Sequence, residues 1–262
     1  PMFSNRGGET IDISGCTDKE LRSLLPTIIS LYEQSETIQE TLVNGKGLAM
    51  IYIKLHDREK AKTVLQELID ISLTMFRKNF FDIFHGAISM KIDDSKFVIN
   101  TKDAVLNSPA LKNYMVLTHK RNYSWQEASD DAFIHSFIYK EISEAKCIAY
   151  TFPNFTMAYS LNNSKFIPKD YFGYKKFKEA KIYNLGDYDS WYERADVEIC
   201  NFLRQNKVNF IIVRGYGLYI YERELSQLAK TISMIENSAK ILVLSDAFNK
   251  TQNSNILSSV DS

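Results

Sequence analysis

Apolar residues recur at helical spacing over residues 17–43, "TDKELRSLLPTIISLYEQSETIQETLV". Thr17 stands three residues before Glu20, the reciprocal capping pattern that opens a helix. Pro26 falls inside the pattern and predicts a kink or break there. "GKGLAMIYIKLHD" (45–57) reads as a loop followed by a short strand or buried helical turn. A helix near 58–78 then places Val64, Leu68, Ile71 and Met75 on one face.

Beyond it the period shortens. "AISMKI" (87–92) and "KFVINT" (96–101) flank "DDSK" and predict a hairpin. A helix fits 125–144, with Ala132, Ile134, Phe137 and Ile138 facing inward and His135 at a polar edge. "KCIAYT" (146–151) reads as a strand stopped by Pro153, with a helical turn at "TMAYSL". A helix at 188–205 precedes the strand "NFIIV", and a last helix covers 222–245. Gly215-Tyr216-Gly217, between two apolar runs, fits a hairpin turn. After Ser245 the chain turns polar, which predicts a frayed tail.

No internal repeat and no Pro/Gly/Ser linker divides the chain, so one α/β domain with a helical N-terminal extension is expected. Its 262 residues include 16 Phe and 15 Tyr, enough for a large aromatic core. Lys+Arg and Asp+Glu balance at 32 each, which gives no electrostatic reason for a nucleic acid or acidic membrane partner. Cys16, Cys147 and Cys200 form no CxxC pair. No run is long enough for a membrane span, and the opening residues lack a signal peptide's apolar centre. A soluble, cytoplasmic protein is the expectation.

Several chemistries find no support. Gly215 and Gly217 begin a dinucleotide fingerprint, but its third glycine position is Ile220, and no Walker loop occurs. His56, His85, His119 and His135 are too far apart in sequence for two imidazoles to share a helix or strand face. There is no GxSxG elbow. Asp130-Asp131 beside Glu127 reads first as the solvated start of a helix, with a raised-pKa acid as the alternative.

Four segments in order carry a resemblance. They are "LIDISLTMFRKNFFDIFHGAISMKI", "KFVINTKD", "ASDDAFIHSFIYKEISEAKCIAYTFPNFTMAYS" and "FIIVRGYGLYIYERELSQLAKTISMIENSAKIL". Together they resemble the class II aldolase/adducin domain family: a helix entering a glycine-asparagine-x-serine strand, a phosphate-side turn, an acidic residue before a helix and a histidine-x-histidine strand, and a final histidine-glycine hairpin before a long helix. The match implies a three-layer αβα fold around a mostly antiparallel sheet. It also implies boundaries of 1–60 for an N-terminal tail and helical extension, 61–247 for the aldolase-like domain and 248–262 for a polar tail.

Carried over residue by residue, the family's three metal-binding histidines fall on Tyr150, Phe152 and Tyr216. Phenylalanine has no lone pair to donate, and a neutral phenol is a poor zinc ligand beside imidazole. The phosphate-binding asparagine falls on Ala87, although Gly86 and Ser89 remain, and the serine-glycine of the next turn falls on Lys102-Asp103. The catalytic acid is matched by Asp131. In the family a divalent cation stabilises the enediolate left by retro-aldol cleavage, and its loss removes several kcal/mol of transition-state stabilisation.

The resemblance therefore implies a metal-free, non-catalytic binding or assembly module without the family's zinc, as in the adducin branch. It implies a homo-oligomer, fourfold by family habit, and leaves room for a protein partner. The alternative is a divergent lyase, epimerase or dehydratase that works on a sugar phosphate or related carbonyl through Tyr150, Tyr216 and Asp131.

Overall fold

The computed structural model describes residues 2–4, 10–12, 16–33, 63, 65–83 and 85–260. The expected loop and strand at 45–57 lie outside them. The chain forms two compact units, Pro1–Thr63 and Val64–Ser262. In the first, β1 (Met2–Ser4) pairs antiparallel with β2 (Thr10–Asp12), and α1 spans Asp18–Glu33. Its start is capped as the sequence predicts. Glu20 Oε2 accepts from Thr17 N at 2.7 Å, and Glu20 N donates to Thr17 Oγ1 at 3.4 Å. Pro26 does not split the helix, which runs through it without interruption. A proline forfeits one backbone hydrogen bond, and the flanking turns keep theirs.

The second unit opens with α2 (65–77). Then come β3 (Ala87–Lys91), β4 (Lys96–Asn100) and β5 (Tyr114–Thr118), joined as antiparallel neighbours. The predicted hairpin is present, with Asp93 Oδ1 accepting from Ser95 N at 2.7 Å in its turn. The expected helix at 125–144 is shorter: a 3-10 turn at Tyr123–Glu127, then α3 at Ala132–Glu141. Between them the chain is tied to the end of β4. Ala128 bridges Thr101, and Ser129 N donates to Asn100 O at 3.0 Å, which holds these residues out of helical geometry.

β6 (Cys147–Thr151) leads to α4 (Asn154–Asn162). A segment that the hydrophobic pattern does not announce follows: β7 (Lys165–Phe166), α5 (Tyr171–Phe177) and β8 (Ala180–Tyr183). α6 (Trp191–Asn206), β9 (Phe210–Val213) and β10 (Gly217–Glu222) match the sequence closely. The last helix, α7, spans Leu225–Val260, so the polar end expected to fray continues as helix. The sheet order is β5-β4-β3-β6-β10-β9-β8-β7, and only the β8–β9 pair is parallel.

Two helical layers cover this sheet. On one face α3 and α6 pack together, with Ile134, Ile138, Ala195 and Ile199 meeting Ile148, Ile211 and Val213. On the other, α7 lies along β6 and β10, and α4 and α5 pack on α7. β6 is buried at every position because both faces are covered. Pro153 precedes α4 and has no side chain to cap it, so Glu236 of α7 does so. Its carboxylate accepts from Phe155 N and Thr156 N, each at 2.9 Å, and from Thr156 Oγ1 at 2.7 Å. Among the described residues no helix is long and apolar enough to cross a membrane.

Candidate functional site

The middle of the sheet sets Ala87, Tyr150 and Tyr219 opposite one another across β3, β6 and β10. Strand periodicity turns all three toward the α3/α6 layer, where they join one core cluster. The rings of Tyr150 and Tyr219 stack with centroids 4.8 Å apart, and Tyr216 lies 5.5 Å from Tyr150. Trp191 meets Tyr216 edge-on at 5.7 Å.

Tyr216 sits in the turn between β9 and β10, and the glycines on either side have distinct tasks. Gly215 takes φ 64°, the left-handed region, and Tyr216 N closes the turn on Val213 O at 3.0 Å. Gly217 is where the Tyr150 ring comes down on bare backbone. A β-carbon there would lie 2.1 Å from Tyr150 Cε2.

The hydroxyls of the stack are satisfied internally. Tyr150 donates to the Tyr216 carbonyl at 2.9 Å, and Tyr219 donates to Asp131 Oδ1 at 2.5 Å. Asp131 precedes α3 but makes no side-chain cap. Its carboxylate is buried against the sheet instead, which corrects the expectation of a solvated helix start. The reason is tertiary: Tyr219, 88 residues away, supplies the donor that makes burial tolerable. Burial pushes the Asp131 carboxyl up to about 6, with the Tyr219 bond opposing and Asp130 adding to the rise. Burial also raises the phenols, and the charge of Asp131 adds to it. Tyr216 is pushed up to about 12, and Tyr150 and Tyr219 go well above the usual range.

Phe152 lies at the rim, stacked on His85 with centroids 4.5 Å apart. His85 N donates to Asp82 Oδ1 at 2.6 Å, and its Nδ1 lies 3.2 Å from Asp82 Oδ2. Of the phosphate-side residues, Gly86 and Ala87 border the stack at the start of β3, whereas Ser89 is sealed beneath α3. Ser89 Oγ is 2.7 Å from His135 Nδ1 and 2.8 Å from Tyr139 OH. His135 is thus wholly buried rather than at a polar edge, and desolvation depresses it to about 3. α3 packs beside α6 over this face of the sheet, and His135 points onto Ser89 of β3, which leaves that side of the helix no solvent. Lys102 and Asp103 are exposed in the turn after β4, and Lys102 Nζ donates to the Gln126 carbonyl at 2.9 Å.

Beside the stack opens a cavity of about 280 Å³, with Arg121, Trp125, Ser129, Asp130, Phe133 and Tyr192 among its walls. Tyr192 donates to the Asp130 carbonyl at 2.6 Å. Neither Asp131 nor the stacked tyrosines line this cavity. Sequence spacing does not point to Tyr219, Trp191 or Tyr192, since each reaches the cluster from a different element.

The model of the class II aldolase and adducin N-terminal domain matches residues 66–243. The chain belongs to this family. Solved structures of the same fold include the L-fuculose-1-phosphate aldolase of Thermus thermophilus, at TM-score 0.64 and 16% identity over 71% of this chain and 96% of that one. The L-fuculose 1-phosphate aldolase of Glaciozyma antarctica PI12 aligns at TM-score 0.53 and 16% identity, over 72% and 75% of the two chains. The sugar-phosphate aldolase of Thermotoga maritima aligns at TM-score 0.55 and 11% identity, over 72% and 97%. No curated protein sequence matches the chain. Identities this low establish the shared fold and nothing about substrate.

Family membership raises the question of a divalent metal, and the residues in place do not fit one. Phe152 offers no donor atom. Tyr150 and Tyr216 are protonated phenols at neutral pH, and the Tyr150 hydroxyl already donates to a carbonyl. Among the described residues no group of three or more His, Cys, Asp or Glu side chains is placed to hold a metal ion.

Proposed function

We propose that this class II aldolase-type domain works without a catalytic metal, as a binding or assembly module. One observation carries the reading. Where the resemblance sets the family's paired and third histidines, Tyr150 and Tyr216 lie in a packed aromatic stack, and the Tyr150 hydroxyl is engaged by the Tyr216 backbone. A centre filled in this way offers no Lewis acid for an enediolate. A hydrogen bond from a phenol supplies only about 2–4 kcal/mol of oxyanion stabilisation. Homo-oligomerisation, fourfold by family habit, cytoplasmic residence and a protein partner belong to the same reading, supported by the family and by the balanced charge.

The test is elemental analysis of protein purified without chelator, with turnover measured on a panel of sugar phosphates with and without added zinc or manganese. The proposal expects substoichiometric metal and no turnover. About one tightly held metal ion per chain with metal-dependent cleavage overturns it.

Asp131 favours a second reading, an altered lyase, epimerase or dehydratase. A carboxyl raised to about 6 is poised for proton transfer near neutral pH. That reading predicts metal-independent turnover that both Asp131→Asn and Tyr216→Phe abolish. Absence of turnover across the panel counts against it.

A further inference from the structure

The cavity beside the aromatic stack is built from the chain between β5 and α3, the start of α3 and the first turn of α6. Its aromatic walls are fixed by contacts within the protein. Trp125 Nε1 donates to the Thr118 carbonyl at 3.2 Å, and its ring meets Phe97 edge-on at 6.2 Å. Phe133 and Tyr192 meet edge-on at 5.0 Å, and the Tyr192 hydroxyl ties α6 to the Asp130 carbonyl at 2.6 Å. Three aromatic side chains from three elements thus line one space of about 280 Å³, at the small end of the range for ligand pockets.

Two charges of opposite sign share these walls, Arg121 and Asp130. The Arg121 guanidinium lies over the Trp125 ring, with Cζ 5.5 Å from the centroid. Among the described residues neither side chain forms an ion pair, with the other or with a third group. Opposite charges that border one cavity without meeting leave a gap for a ligand to bridge. A lone cation would be drawn to Asp130 and repelled by Arg121, and a lone anion the reverse. A sugar phosphate, charged at one end on a hydroxylated body, answers neither Asp130 nor the three rings. A small molecule that carries both charges on an apolar body answers all of them.

We propose that this cavity binds a zwitterionic α-amino acid with an apolar or aromatic side chain. Arg121 takes the carboxylate through its planar fork, and Asp130 accepts from the ammonium. Trp125, Phe133 and Tyr192 enclose the side chain. The inference rests on the binding-module reading above and gives that module a ligand, at a site that excludes Asp131 and the tyrosine stack.

The test titrates L-phenylalanine into the full chain by isothermal titration calorimetry, beside two analogues that each lack one charge, phenethylamine and 3-phenylpropionate. Saturable binding of the amino acid is expected, with each analogue weaker by about tenfold or more. Arg121→Gln is expected to bind the amino acid about tenfold more weakly, and phenethylamine at least as tightly as wild type does. Asp130→Asn is expected to show the mirror pattern, weak on the amino acid and undiminished on 3-phenylpropionate. The ligand that each variant retains excludes misfolding as the cause of the loss. Where the analogues bind too weakly to measure, unchanged thermal unfolding of the two variants serves instead. No saturation by L-phenylalanine, L-leucine or L-methionine overturns the proposal, as does an amino acid held no more tightly than its singly charged analogues. Saturation by a sugar phosphate that Asp130→Asn tightens assigns the cavity to an anion and overturns it as well. Metal content keeps the two readings apart. Amino acid binding by a chain that holds stoichiometric zinc overturns the metal-free reading and leaves this one standing. A metal-free chain without turnover that ignores amino acids does the reverse.

Discussion

The ring of Tyr150 rests on the bare α-carbon of Gly217, so close that an alanine methyl there would overlap it, with Cε2 2.1 Å and Cδ2 3.0 Å from the added carbon. Tyr150 cannot easily retreat, because its ring stacks on Tyr219 at 4.8 Å and its hydroxyl bonds the Tyr216 carbonyl at 2.9 Å. One glycine therefore sets the position of the whole aromatic centre.

Gly217→Ala is expected to destabilise the fold by about 2–3 kcal/mol, the scale of an overpacked core. Adding Tyr150→Ala should recover part of that loss, so the double variant is more stable than the sum of the single effects. Urea unfolding of the four proteins checks it, and additive effects would refute the contact.

Asp131 makes stability depend on pH in a definite direction. Its folded value, about 6, lies above the unfolded value, so the native state holds the proton more tightly. The contribution is complete below about pH 4 and is lost as pH rises through about 6. Asp131→Asn keeps an oxygen for Tyr219 and removes the titration. Its stability relative to wild type should rise with pH by about 3 kcal/mol between pH 4 and 7 and stay flat above that. Denaturant titrations across that range give the difference directly.

Ser89 holds both His135 Nδ1 and Tyr139 OH in the interior. Ser89→Ala leaves the two buried groups without this partner, at a cost of about 2–4 kcal/mol at neutral pH. His135 has the opposite linkage to Asp131. Its folded value, about 3, is depressed by desolvation, so its contribution is present above about 6.5 and lost as pH falls toward 3. His135→Gln should therefore be less sensitive than wild type to acidification from pH 6.5 to pH 4, as read by thermal unfolding.

Glu236 caps α4 from a distant helix. Glu236→Ala orphans the Phe155 and Thr156 amides and should cost about 2–3 kcal/mol, and Glu236→Gln about 1 kcal/mol. Hydrogen exchange at these two amides should accelerate in the alanine variant before exchange in β6 changes.

Local features are legible in the sequence where neighbours in the chain set the geometry. The Thr17–Glu20 cap, the β3–β4 hairpin, β6 and the β9–β10 turn all depend on short-range spacing and turn chemistry. Asp131 and His135 depart from their local pattern for one reason. An acid before a helix and a histidine between apolar residues are usually solvated, and only Tyr219 and Ser89, 88 and 46 residues away, make their burial tolerable. The β7–α5–β8 segment leaves no periodic trace because its strands have two and four residues, too short to show a period.

The sequence by itself determined the family, through four segments in order, and the side chains at the positions matched to the family's histidines, where Tyr150, Phe152 and Tyr216 carry no imidazole. The tertiary structure decided what those side chains do. Residue type says only that a phenol is present. Its role depends on which acceptor it meets and how much water remains. Strand order set Tyr150 beside Tyr219, and the turn placed the Tyr216 carbonyl over the Tyr150 hydroxyl. The loop before α3 turned Asp131 into the sheet to meet Tyr219. Such contacts join residues far apart in the chain, and no local pattern encodes them.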